Sequence, residues 1–308
     1  MAAGLTQAAL SPEVLPWLVG LLIVVVGAAT LEGLVQTWGR RQAYDWRAYA
    51  ASMADMLGRR AVDALGFSLA APVLAWAFTH RIATLDLSAP AAFALLFAGQ
   101  EFCYYWHHRM AHRVRWFWAT HAVHHSPNEL TLAAALRLGW TGKLTGTGLF
   151  FAPLIWLGFP PLAVLAAVAA NLLYQFWLHA TWIPRLGPLE WVFNTPSHHR
   201  VHHASNPEYL DCNYGGVLIV FDRLFGTFVK ERNDIVIRYG LTQPLTTHNP
   251  LRIALHEWLN LGRDLVAANS WRERARILVS PPPARAHLSS TLTTFCRSRP
   301  ASCRRSRA

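Results

Sequence analysis

The chain of 308 residues is poor in charge and in cysteine. Asp, Glu, Lys and Arg make up 15% of it, against about 25% in an average soluble protein. That shortage argues against an ordinary soluble domain. A hydrophobic content of 53% and a mean hydropathy of +0.21 point instead to several membrane passes. The four cysteines, Cys103, Cys212, Cys296 and Cys303, have no paired spacing. This excludes a disulfide framework and a cysteine-based zinc site. No Lys or Arg precedes Arg40, so a cleavable signal with a basic start is not expected, and the first apolar run is long enough to span. The formal charge of +11 comes with no RNA- or DNA-binding motif. Arginines sit in short loops beside apolar runs, as the positive-inside bias places them, and no nucleic-acid partner is expected.

The expected fold is all-α, a multi-pass transmembrane helical bundle of about four to five membrane segments with a cytosolic histidine-rich metal-binding cap. Apolar runs at 14–37, 61–79 and 90–107 read as spans. A longer stretch, 144–178, is broken at Phe159-Pro160-Pro161 and reads as a hairpin, because Pro-Pro ends a helix and turns the chain. Arg40, Arg41, Arg47, Arg59 and Arg60 assign the first loop to the cytoplasm. Residues 108–143 and everything after the hairpin then return to that side. Four units are expected: an N-terminal transmembrane segment (1–38), a catalytic domain (39–245), a C-terminal helical tail (246–279) and a disordered basic tail (280–308).

What is abundant is histidine. Nine of the fifteen fall into clusters: His108 and His112; His121, His124 and His125; His179; and His199, His202 and His203. Offsets of three and four place side chains on one helix face. Each imidazole carries polar nitrogens that need partners when buried, and neutral imidazole is a common ligand for iron, zinc and copper. Nine donors are too many for one ion and suit two. The competing reading is a structural or pH-sensing cluster. His107 and His198 adjoin these positions but are turned by about 100° on a helix and are left outside the set. His80, His248, His256 and His287 are isolated and read as ordinary surface residues.

The boxes read His108-x-x-x-His112, His121-x-x-His124-His125 and His199-x-x-His202-His203, embedded in Glu101-Phe-Cys-Tyr-Tyr-Trp-His-His108 and Asn194-Thr-Pro-Ser-His-His199. Tyr209-Leu-Asp-Cys-Asn-Tyr-Gly-Gly216 and Phe221-Asp-Arg-Leu-Phe-Gly-Thr227 follow. This pattern, over roughly residues 40–245, resembles the fatty acid hydroxylase / sterol desaturase superfamily of membrane di-iron oxygenases. In motif detail it is most similar to the alkylglycerol monooxygenase-like branch. The acyl-CoA desaturase branch has a longer gap between its first two boxes and fits less well. The resemblance implies that the eight box histidines are metal ligands. His179 matches an intermediate position at which some hydroxylases have a second histidine; here that second place is Gln175, expected beside the site or facing substrate.

Glu101 lies seven residues before His108, on the same helix face and inside an apolar run. A carboxylate there needs a partner; the expected one is the free N–H of a ligating histidine, which it would orient, and the alternative is a hydrogen bond to substrate or to another helix. Asp211 and Asn213 are candidates for the same part, or for capping a turn. Glu101, Asp211 and Asn213 are thus the expected catalytic residues beside the metal.

The expected activity is O2-dependent hydroxylation or desaturation of a C–H bond in a lipid: a sterol, fatty acyl chain or alkyl-glycerol ether. Two Fe2+ ions would serve as cofactor. No flavin, pterin or cytochrome motif is visible, so electrons are expected from a separate protein or small reductant; the resemblance makes a reduced pterin a candidate. Two other classes compete: a zinc-dependent membrane hydrolase, for which nine histidines are excessive, and a non-enzymatic metal-binding membrane protein.

Overall fold

The computed structural model describes residues 15–41 and 43–282. The expected basic tail, with His287, Cys296 and Cys303, lies almost wholly outside the described residues. Among those residues the chain is helical, with two isolated β-bridges, Phe193 to Leu218 and Ala204 to Tyr239.

Among the described residues, two helices are long and apolar enough to cross a membrane. Helix α1 (Leu15–Leu34) continues as a π-helical turn through Val35–Gly39. Its side chains are apolar and largely exposed, as a lipid-facing helix requires. Glu32 is the exception. Buried, it accepts from Leu132 N at 2.7 Å and Trp182 Nε1 at 3.0 Å, which ties the end of α1 to two loops of the histidine region.

Asp45 caps α2 (Trp46–Ala64) by accepting from Arg47 N and Ala48 N. The expected span 61–79 is not one helix. α2 ends at Ala64, Gly66 turns at φ +73°, and α3 (Ala71–Thr79) has nine residues. That is about 14 Å of helix, short of a bilayer core of about 30 Å. α3 packs on α6 (Ala152–Leu157), so two short apolar helices lie together. Between them in sequence, α4 (Pro90–Arg113) is the longest α-helix among the described residues and runs from an apolar start to the first histidines. α5 (Arg115–His121) follows after one extended residue.

The chain turns at 158–160, as the Pro-Pro pair leads one to expect. Gly158 has φ +119°, and a Cβ there would lie 2.5 Å from the Ala83 carbonyl oxygen; only glycine fits. α7 (Pro161–Leu178) then descends beside α4. Short α8 (Pro196–His202) and α9 (Val220–Leu224) follow within a looped region. The expected tail helix is two: α10 (Pro250–Ala267), capped by Asn249, and α11 (Trp271–Val279), capped by Ser270. α10 packs against α2 and α5.

Candidate metal centre

The histidines converge where four segments meet. α4 presents His108 and His112 one turn apart. α5 ends on His121, and the turn after it carries His124 and His125. His179 caps the end of α7. α8 contributes His199 and His202, with His203 as its cap. The nine form two groups: His108, His112, His121, His125 and His202 in one, and His124, His179, His199 and His203 in the other. Within each group, one ring nitrogen from every residue lies within 4.8 Å of the others. His107 and His198 belong to neither.

Backbone carbonyls orient several rings. His108 Nδ1 lies 2.8 Å from Tyr214 O, His202 Nδ1 2.9 Å from Cys212 O, His124 Nδ1 3.1 Å from Arg137 O and His179 Nδ1 2.9 Å from Gln175 O. A carbonyl oxygen only accepts, so each of these Nδ1 atoms carries the proton and donates. The Nε2 of a neutral ring then presents a bare lone pair. Burial, reinforced by neighbouring rings in most cases, pushes the imidazole pKa down throughout, to about 4 for His124 and His202. The rings are therefore neutral at physiological pH.

Ring nitrogens crowd together at the centre of each group. The Nε2 atoms of His108 and His121 are 3.1 Å apart, those of His121 and His125 3.2 Å, and those of His179 and His199 3.2 Å. The Nε2 atoms of His112, His202 and His203 are buried without a hydrogen-bond partner. Buried ring nitrogens without a partner are costly unless something binds them. Two nitrogens each about 2.1 Å from one ion and at right angles would be about 3 Å apart. The donor set therefore fits two cations.

Glu101 does not touch a histidine. Its Oε1 accepts from Asn171 Nδ2 at 2.5 Å, and its Oε2 from Val217 N at 2.9 Å and Leu218 N at 2.8 Å. It fastens the loop after Tyr214 to α4 and α7. Helix periodicity gave the correct face but could not reveal a loop crossing it. Asp211 Oδ1 is 3.7 Å from His112 Nδ1, and its Oδ2 pairs with Arg113 at 2.9 Å, so this residue reaches the centre. Asn213 instead holds a turn, at φ +55°: its amide donates to His198 O and Val229 O and accepts from Val229 N. Gln175 accepts from Tyr104 and donates to Asn171, while its own carbonyl orients His179.

Asp222 is a further residue that supports the site, one that no histidine spacing points to. Fully buried, it accepts from Tyr214 N and Gly215 N at 2.7 Å each and from Thr227 Oγ1, holding the strip whose carbonyl orients His108. Burial pushes its carboxyl up to about 6. Its sequence signal was the Phe221-Asp-Arg motif, which carried no assigned role.

A cavity of about 670 Å³ reaches the five-histidine group, lined there by His112, His125 and His202 beside Trp118 and Asp211. Its outer wall is the 240–247 loop and one face of α10.

Residues 93–227 match the family model for fatty acid hydroxylase, and all nine histidines lie within that range. That stretch is similar to a fatty acid hydroxylase domain. The chain is 39% identical over 217 residues to an alkylglycerol monooxygenase of Xenopus tropicalis, covering 70% of this chain and 48% of that protein. It is 40% identical over 203 residues to the alkylglycerol monooxygenase of Homo sapiens, covering 66% of this chain and 45% of that protein. An ornithine lipid hydroxylase, OlsE, of Rhizobium tropici is 33% identical over 142 residues, 46% of this chain and 43% of the relative. The chain thus spans about half the length of the curated relatives it matches. No solved structure matches it. Within the matched segment the histidines come from α4, the end of α5 and the turn after it, the end of α7, and α8, so both candidate metal-binding groups lie wholly inside it.

Proposed function

We propose that this protein is a membrane-bound, O2-dependent lipid hydroxylase with a dinuclear iron centre held by the nine histidines. The observation that carries it is the division of those histidines into converging groups of five and four, inside a domain whose relatives are named for lipid monooxygenation and hydroxylation. The overall change is insertion of one oxygen atom into a lipid C–H bond. The second oxygen leaves as water, with two electrons and two protons from a separate reductant. Iron at this centre would supply O2 activation and the oxidising power that an unactivated C–H bond demands.

The chain's own residues do the rest. Carbonyls of Tyr214, Cys212, Arg137 and Gln175 fix four rings in the tautomer that ligates through Nε2. Asp222 and Glu101 hold the strip 214–218 that supplies one of those carbonyls. Asp211 sits where the cavity meets His112 and is the group placed to pass a proton to or from the centre. Trp118, Leu210 and Leu245 give the cavity an apolar wall that suits a lipid and limits water. By analogy with the names of the relatives, an alkylglycerol or an ornithine lipid is the substrate to test first; the motif resemblance makes a reduced pterin the first donor to test. The proposed arrangement is multi-pass, with 39–245 as the catalytic unit and its cap on the cytoplasmic face.

The test is metal analysis of anaerobically purified protein, followed by 18O2 labelling of lipids from expressing cells. Two iron equivalents and one 18O per product are expected. Product formed without O2, or with zinc as the only metal, would overturn the reading.

A further inference from the structure

The catalytic cavity opens beside α10, and that helix leaves an apolar face uncovered. At about 100° per residue, Leu251, Leu255, Leu259 and Val266 share an arc of about 80°, and all four are exposed, Val266 by 83%. The opposite side of the helix, with Ile253, Ala254, Glu257 and Leu261, is the buried one. Next to the apolar arc come Arg252 and Arg263, exposed and lining the cavity mouth. Leu259 belongs to both the arc and the mouth.

Three observations select what covers this face. The first is charge. Arg252, Arg263, Arg272 and Arg276 are exposed on α10 and α11 against one exposed acidic residue, Glu273, whereas Glu257 and Asp264 turn inward to the buried Arg115, at 3.2 and 2.6 Å. The outward surface is therefore cationic around an apolar strip, with Trp271 exposed at its end. That composition suits an anionic bilayer interface. The second is level. His248 Nε2, just before α10, lies 3.1 Å from Asp45 Oδ2, and Asp45 follows closely on the end of the apolar helix α1 at Gly39. α10 therefore starts where the first membrane helix ends. The third is continuity with the cavity, whose occupant under the proposed function is a lipid.

We propose that α10 lies in the headgroup region of the leaflet on the histidine-cap side, seated on anionic lipid, and that lipid enters the cavity along its edge between Leu259 and the two arginines. The location of the mouth and the identity of the substrate rest on the lipid-hydroxylase reading; the seating of α10 is measurable without turnover.

The experiment uses the full chain, with Cys296 and Cys303 changed to serine, reconstituted in phosphatidylcholine vesicles with and without phosphatidylglycerol. An environment-sensitive fluorophore is placed on Leu255→Cys and, as a control on the cap, on Asp234→Cys. The probe at 255 should be blue-shifted and quenched several-fold more by lipid-borne nitroxide than the probe at 234, with more quenching when phosphatidylglycerol is present. A probe at 255 as accessible to aqueous quencher as that at 234 would overturn the seating. So would a probe shielded from both quenchers, because a protein partner or a second copy would then cover the face. In a second arm, Leu251→Gln with Leu255→Gln should raise KM for bilayer lipid several-fold and leave iron content and kcat on micellar substrate unchanged. Equal KM values would overturn the entry route. Absence of any turnover with normal quenching would count against the hydroxylase reading alone.

Discussion

The two histidine groups differ in access. The five-histidine group borders the cavity, and His121 within it is only half-buried. The four-histidine group is enclosed on every member, between α7, α8 and the loop after α5. Their supports differ as well. Around the first, Asp222 holds Tyr214 and so His108, while Asp211 faces His112. Around the second, Glu32 reaches from α1 to Leu132 and Trp182, and Ala29, Leu132, Ala133 and Ala180 pack together beside His179. One group opens to the cavity, and the other is anchored to the first apolar helix.

The largest effects should come from the rings themselves. His202→Ala in the open group or His124→Ala in the closed one should each abolish turnover and cost one iron equivalent, whereas His80→Ala, an exposed residue in neither group, should do neither. Iron analysis beside a lipid hydroxylation assay checks this; full turnover by either box variant with iron retained would break the ligand assignment. Glu101→Gln should come next and should not discriminate between the groups. The amide replaces an acceptor oxygen that serves two backbone N–H donors or the Asn171 amide, and leaving such a donor unpaired costs about 1–3 kcal/mol. Both irons should be held more weakly, read as parallel loss during chelator titration.

Helix spacing made the boxes legible, because offsets of three and four fix a common face. The partition into five and four was not legible. His124 and His125 are neighbours yet serve different groups, as do His202 and His203. Adjacent residues diverge by about 100°, so the second and third boxes interleave across both groups. The orienting carbonyls of Tyr214, Cys212, Arg137 and Gln175 were invisible because any residue has a carbonyl. The Pro160-Pro161 turn could be read; the break at Gly66 inside the expected span 61–79 was outweighed by the apolar residues around it. Glu32 passed unnoticed inside an apolar run, although its charge was the sign of a contact across the fold.

Asp222→Asn should separate the groups. It leaves one oxygen for donors that now share two, loosening Tyr214 and weakening iron at the five-histidine group by about tenfold, within the range for residues that orient ligands. It also has a pH signature. The folded state raises this carboxyl from 3.8 to about 6, so it binds the proton more tightly than the unfolded chain does. Its contribution to stability is fully present below pH 3.8 and is lost as pH rises through about 6. Thermal melts of the native protein should show that loss, and melts of the asparagine variant should be flatter across the same window.

Glu32→Ala should give the smallest effect and the opposite selectivity. It frees Leu132 N and Trp182 Nε1 rather than a group touching a histidine, so both can regain partners if the loops shift. The expected cost is about 1–3 kcal/mol in stability, with iron lost first from the four-histidine group. Stoichiometry should then fall from two toward one while the cavity-side iron stays. If Glu32→Ala and Asp222→Asn instead release the same iron in the same order, the groups are one cooperative site, and the division into an open and an anchored half fails.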